Sequence, residues 1–124
     1  MIDSNKKLKR MQLSDALQAY PSPEAASPPR GGWVRAIREA LGMTQAQLGA
    51  RAGISRQSVQ DFERAEADRR ITLDSLDRLA RAMGCRVAYA LVPEGGTLDD
   101  LRERRADALA EALLQPTDHS MKLE

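Results

Sequence analysis

The residue types that could do chemistry crowd one side of a short run after Ser55. At about 100° per residue on a helix, Arg56, Gln57, Gln60, Asp61 and Arg64 fall within about 140° of one another, opposite Val59 and Phe62. An arginine fork can donate two bonds to a guanine edge and a glutamine amide can bond the N6 and N7 edge of adenine. Arg56, Gln57 and Gln60, near the helix start, are therefore the candidate base-reading side chains. Asp61 either accepts from cytosine N4 or pairs with Arg64 and keeps that arginine turned toward a phosphate. The amides of Thr44 and Gln45, the Ser55 position and Arg35, Arg64, Arg69 and Arg70 are candidates for phosphate contacts. Catalytic chemistry has no comparable support. The sequence shows no nucleophile with a His or Asp partner, no phosphate loop and no carboxylate pair in apolar surroundings. One cysteine, Cys85, and one histidine, His119, make neither an internal disulfide nor a zinc set, so no metal and no cofactor is expected. Cys85 reads as a small buried residue, Trp33 as a cap on the core, and His119 as part of an inert tail.

These side chains need elements to position them. Val34, Ile37, Ala40 and Leu41 share one face of a first helix that Gly42 stops. Thr44 and Gln47 match a capping box, with Leu48 and Ala52 following on a second helix over 45–52. Gly53 sits where a helix C-cap needs a left-handed residue, Ile54 is an apolar anchor, and Ser55 can cap a third helix from Arg56 to about Ala65. A loop over 66–70 precedes Thr72, which caps a fourth helix whose Leu73, Leu76, Leu79, Ala80 and Met83 line the buried side as far as Gly84. Taken as a twenty-residue unit, 45–64 has small Gly49 at the fifth place and Gly53 at the ninth. That is helix-turn-helix spacing: the small residue lets two helices cross closely and the glycine supplies the sharp turn.

The flanks differ in character. From Lys6, residues Leu8, Met11, Leu13, Ala16, Leu17 and Tyr20 suggest an amphipathic helix, which ends in a linker holding four of the six prolines and closed by Gly31-Gly32. Over 86–92, Val87, Tyr89 and Leu91 alternate as in a strand ended by Pro93. Such a strand could pair with its twin across a dimer axis. Thr97 caps a last helix, with Asp99 and Asp100 in its first turn and Leu98, Leu101, Ala108, Leu109, Ala112 and Leu113 as a packing side. The expected divisions are 1–32 for the N-terminal helix and linker, 33–85 for the helix-turn-helix domain, 86–114 for the strand and last helix, and 115–124 for the tail. The expected fold is all-α, a four- to five-helix domain with one short strand and a further C-terminal helix.

Composition supports one small core: 124 residues, of which only 3% are aromatic, leave it to be built from Leu, Ile, Val, Met and Ala. No stretch approaches the roughly 20 apolar residues of a membrane span and no signal-peptide pattern is present, so the expected location is the cytoplasm. The net charge of +1 conceals a division. Residues 30–86 carry 11 basic and 7 acidic side chains, every basic one an arginine, whereas 87–124 carry 4 and 8. A basic middle suits double-stranded DNA, although an arginine-rich surface equally fits a GC-rich genome.

The run from Arg35 to Gly84 resembles the Xre/lambda-repressor-like helix-turn-helix family in the pieces Leu41 to Leu48, Ala52 to Ser55 and Phe62-Glu63. More narrowly, Gly32 to Thr44, Ile71 to Leu73 and Gly84 to Pro93 look like the bacterial family called mobile mystery protein A, over about two-thirds of the chain. That family is usually encoded beside a Fic-domain protein. The resemblance therefore implies an antitoxin-like, sequence-specific DNA-binding regulator, an autorepressor that binds an inverted repeat as a homodimer, with a Fic-domain protein as partner. Some Fic antitoxins inhibit through a helix bearing Ser or Thr, three residues, then Glu followed by Gly or Asn. Here the one such Glu is Glu94, before Gly95, with Ala90 where the hydroxyl should be. The alternative is a protein-interaction module that neutralises its partner by contact, with DNA binding secondary.

Overall fold

The computed structural model describes residues 2–22 and 25–114. His119 and the rest of the expected tail lie outside them. The described residues hold six helices: α1 (Ile2–Leu17), α2 (Trp33–Ala40), α3 (Gln45–Ala52), α4 (Arg56–Ala67), α5 (Leu73–Ala82) and α6 (Leu98–Leu114). They sort into two compact units, one of residues 26–89 and one formed by the chain before 26 together with the chain from 90 onward.

In the first unit α2 to α5 close around Val34, Leu48, Val59 and Leu79, all fully buried, with Met83 beside them and Ile37, Ile54, Phe62, Ile71 and Leu76 packed against the cluster. One large apolar residue from each helix thus meets at the centre. Burying four such side chains is worth about 1.5–3 kcal/mol each, which is what a domain this small can gather. The local signals act as expected. Thr44 and Gln47 form the capping box, Ser55 accepts from the Ser58 amide, Thr72 accepts from the Ser75 amide, and Gly53 caps α3 in the left-handed conformation. Arg78 adds a cation at the same helix end, donating from Nε to the Ala52 carbonyl at 3.1 Å.

Gly49 is where α3 and the chain entering α4 come closest. A Cβ there would stand 2.7 Å from the Ile54 carbonyl oxygen, and that obstruction is backbone, which cannot rotate away. Gly49→Ala should therefore destabilise the unit by about 1–3 kcal/mol, read as a lowered urea midpoint with unchanged slope. A variant as stable as the parent would show that the two helices can separate without loss.

Several expectations need correction. The strand over 86–92 is not seen. Residues 85–93 run without a ladder partner among the described residues, because alternating side chains specify an extended backbone but cannot supply a neighbouring strand. α4 runs two residues past the expected end, to Ala67, since Ala65 is buried and keeps the last turn packed. Leu73, at the first turn of α5, is half-exposed rather than buried. Trp33 is 48% exposed and forms one wall of an apolar cleft of about 240 Å³, shared with Ile37, Leu76, Met83, Cys85 and Val87. Cys85 is half-buried there.

The second unit pairs α1 with α6. Arg10 donates from Nε to Asp99 at 2.6 Å, the Leu98 amide reaches Ser14 Oγ at 3.4 Å, and Thr97 and Asp100 form a reciprocal cap at the start of α6. Hydrogen bonding to the Thr97 amide holds the Asp100 carboxyl below the usual carboxylate range. The stripe expected on α6 shares one face but is left uncovered, and α1 lacks the single stripe expected of it. The apolar residues of α1 spread around its circumference, leaving Leu8, Met11 and Leu13 exposed, and α6 has no buried residue.

Candidate nucleic-acid interface

α4 carries the site. Arg56, Gln57, Gln60, Asp61 and Arg64 are all exposed, while Val59 and Glu63 on the other side are buried and Phe62 is half-buried. The helix is thus held by its apolar side and presents a polar one. Gln57 donates from Nε2 to Asp61 Oδ1 at 3.1 Å, one turn apart. Of the two alternatives for Asp61, the pairing with Arg64 is not formed. Gln57 is the partner, in a bond that uses one of its two amide hydrogens and leaves the other for a ligand.

Two shallow depressions show which residues the tertiary structure gathers. Thr44, Gln45 and Arg56 share the first, and Arg35, Gln45, Gln60 and Arg64 share the second. The start of α3 and the first turn of α2 are therefore brought beside the outer face of α4. Thr44 spends its own amide on Gln47 Oε1 at 2.9 Å, and Gln47 its amide on Thr44 Oγ1. Within that first turn, helix geometry leaves the Gln45 and Ala46 amides as the outward donors. Arg35 donates to Glu39 at 3.0 Å, an exposed pair that a phosphate can displace at little cost. Ser55 is occupied as the α4 cap, with the Ser58 amide at 3.0 Å. Val87, Tyr89 and Leu91 are not part of this surface. Val87 lines the Trp33 cleft, and Tyr89 and Leu91 are exposed.

Sequence reasoning missed the two residues that hold this arrangement. Glu63, 6% exposed, takes the Arg38 guanidinium in two bonds, Nε to Oε2 at 2.6 Å and Nη2 to Oε1 at 3.2 Å; Arg38 is 9% exposed. Arg38 also donates to the Met43 carbonyl at 2.9 Å, and Gln45 Nε2 donates to Glu63 Oε1 at 3.2 Å. The Glu63 hydrogen bond raises the Arg38 pKa against the opposing pull of burial, so the guanidinium stays charged. One carboxylate on α4 thereby fixes α2, the α2–α3 turn and the first residue of α3. Glu66, one turn on, accepts from the Trp33 and Val34 amides at 2.6 and 2.9 Å, placing a negative charge on the N-terminus of α2. Gly32 makes that grip possible, because a Cβ there would lie 2.7 Å from the Glu66 carboxylate. The one available signal was the spacing: two glutamates three residues apart on the side of α4 that should be apolar.

The end of α4 carries a backbone anomaly. The Arg69 amide bonds the Glu66 carbonyl and the Arg70 amide bonds the Ala65 carbonyl, a Schellman closure with Arg69 at φ 60°. α2 and α5 close with the same pattern, but with Gly42 and Gly84 at that place. A β-carbon in this conformation costs about 1 kcal/mol, and such cost tends to persist where a side chain is used. Arg69→Gly should raise the unfolding free energy by about 0.5–1 kcal/mol and weaken binding to every DNA sequence alike. Thermal melts and titrations on specific and random duplexes check both. Undiminished DNA affinity would remove Arg69 from the interface.

A packed helix, a sharp glycine turn and a second helix standing out with a polar face define a helix-turn-helix domain. Residues 34–89, a little under half of the chain, match the family model described as helix-turn-helix, of the Xre/lambda-repressor-like kind. No curated protein and no solved structure matches the chain. Among the described residues, no helix is long and apolar enough to cross a membrane.

Proposed function

We propose that the protein is a sequence-specific DNA-binding transcriptional regulator that places α4 in the major groove. The observation that carries this is the outer face of α4 itself: five exposed polar side chains, flanked by arginines and by the open amides of α3, on a helix whose other face is buried. Arg56, Gln57 and Gln60 read base edges, with Asp61 orienting Gln57. Arg35, Arg64, Arg69 and Arg70, with the first turn of α3, hold phosphates. One recognition helix covers few base pairs, so the protein acts as a homodimer on an inverted repeat with half-sites about one helical turn apart. Val87, Tyr89 and Leu91, which form no strand within the described residues of one chain, and the paired helices α1 and α6 are the two segments outside the recognition helix that could carry that dimer contact.

The resemblance to mobile mystery protein A supports a narrower reading, an antitoxin-like autorepressor paired with a Fic-domain protein. Glu94 and Gly95 lie in a bend rather than a helix, so restraint of such a partner would use other contacts. Selection of duplex DNA from a random pool at roughly 0.15 M salt, where most non-specific phosphate binding is suppressed, tests the function. An enriched inverted repeat supports a dimeric regulator. No enrichment makes the domain a scaffold for protein contact, the reading favoured by the exposed leucines of α1 and α6.

A further inference from the structure

We infer that α1 and α6 form a self-association module, in which two copies of the chain close a four-helix bundle by laying the outer face of α1 on α6 of the other copy. The inference supplies the dimer contact for the DNA-binding reading and rests on that reading only for its purpose. The first observation is what the two helices leave uncovered. α6 is 17 residues long with no buried side chain, and an isolated helix of about that length is marginal in water. Its Leu101, Leu109 and Ala112 lie at helical spacing on one face, with Leu101 39% and Leu109 63% exposed. That face forms a groove whose floor is Leu98, Leu101 and Leu109 and whose rim is Arg10, Arg102 and Arg105.

The second observation is charge. Arg10 is held by Asp99, but Arg102 and Arg105 have no ion pair among the described residues. The carboxylates of α6, at Asp100, Glu103, Asp107 and Glu111, fall on the opposite face of the helix. The groove therefore asks for an apolar stripe that carries a carboxylate. α1 has one. Arg10 and Ser14 turn toward α6 of their own chain, while Leu8, Met11 and Asp15 share another face, with Leu8 and Met11 exposed and Asp15 outside any ion pair among the described residues. With α1 of one copy antiparallel to α6 of the other, Asp15 against Arg105 sets Met11 over Leu109 and Leu8 over Ala112. A twofold axis repeats the contact, which is how a closed symmetric interface forms.

Sedimentation equilibrium of the full chain without DNA, at roughly 0.15 M salt, tests this. The wild type should be dimeric in the micromolar range. Arg105→Asp, Asp15→Arg and Leu109→Asp should each raise the dissociation constant roughly tenfold or more, and the exchange Arg105→Asp/Asp15→Arg should restore most of the loss. Trp33 fluorescence reports in each variant that the helix-turn-helix unit is folded. A monomeric wild type, variants that dimerise as the parent does, or an exchange no better than its single members would overturn the bundle. A monomeric chain that still selects a DNA half-site would overturn the bundle and leave the DNA reading standing.

Discussion

Glu63→Ala should destabilise the helix-turn-helix unit by about 3–5 kcal/mol, seen as a fall in melting midpoint of about 12 °C or more. The pair it breaks is nine-tenths buried on both sides, and Arg38 cannot lose its proton to escape an unpaired interior. The Met43 carbonyl and the more exposed Glu39, at 3.9 Å, would be all that faces the positive charge, and Gln45 would lose its acceptor in the same step. The pair itself need not be a large source of stability, because both ions left water to form it. That gives a second arm. Arg38→Met/Glu63→Leu should recover most of the stability by filling the same space without charge. A single variant that melts with the parent would mean the guanidinium finds water through the α2–α3 turn, and the carboxylate would then not be what fixes that turn.

Arg56→Ala/Gln57→Ala should weaken binding to the selected operator about a hundredfold or more, while affinity for random duplex falls only several-fold. Under the proposed assignment two base-reading pairs are removed, each worth about 1–3 kcal/mol, but just one phosphate-compatible charge. Both side chains are exposed and alanine favours the helix, so the melting midpoint should hold, apart from a few tenths of a kcal/mol for the absent Gln57–Asp61 bond. Arg69→Gly is the discriminating comparison, since loss of a cation proposed to hold a phosphate should lower specific and random binding together. Equal losses on both kinds of DNA for the double variant would sink the assignment of α4 as the reading helix.

Much of this is legible in the sequence, and the reason is range. A cap, a glycine turn and a helix period each involve partners within four residues, so Thr44, Gly53, Ser55 and Thr72 announce their roles from sequence spacing, and Val59 against Gln60 separates the inner face of α4 from the outer one. The period of 3.6 residues also placed Arg56, Gln57, Gln60 and Arg64 on one outward face. It placed Glu63 on the inner face without saying why a carboxylate should be there. The answer is Arg38, 25 residues earlier, and for Glu66 it is the amides of Trp33 and Val34. Such pairs depend on how helices cross, which hydrophobic spacing leaves undetermined. The same limit made 86–92 read as a strand and α6 as a packed helix. Alternation and amphipathic spacing state what a segment would bury, but only the tertiary structure decides whether a neighbour arrives to bury it.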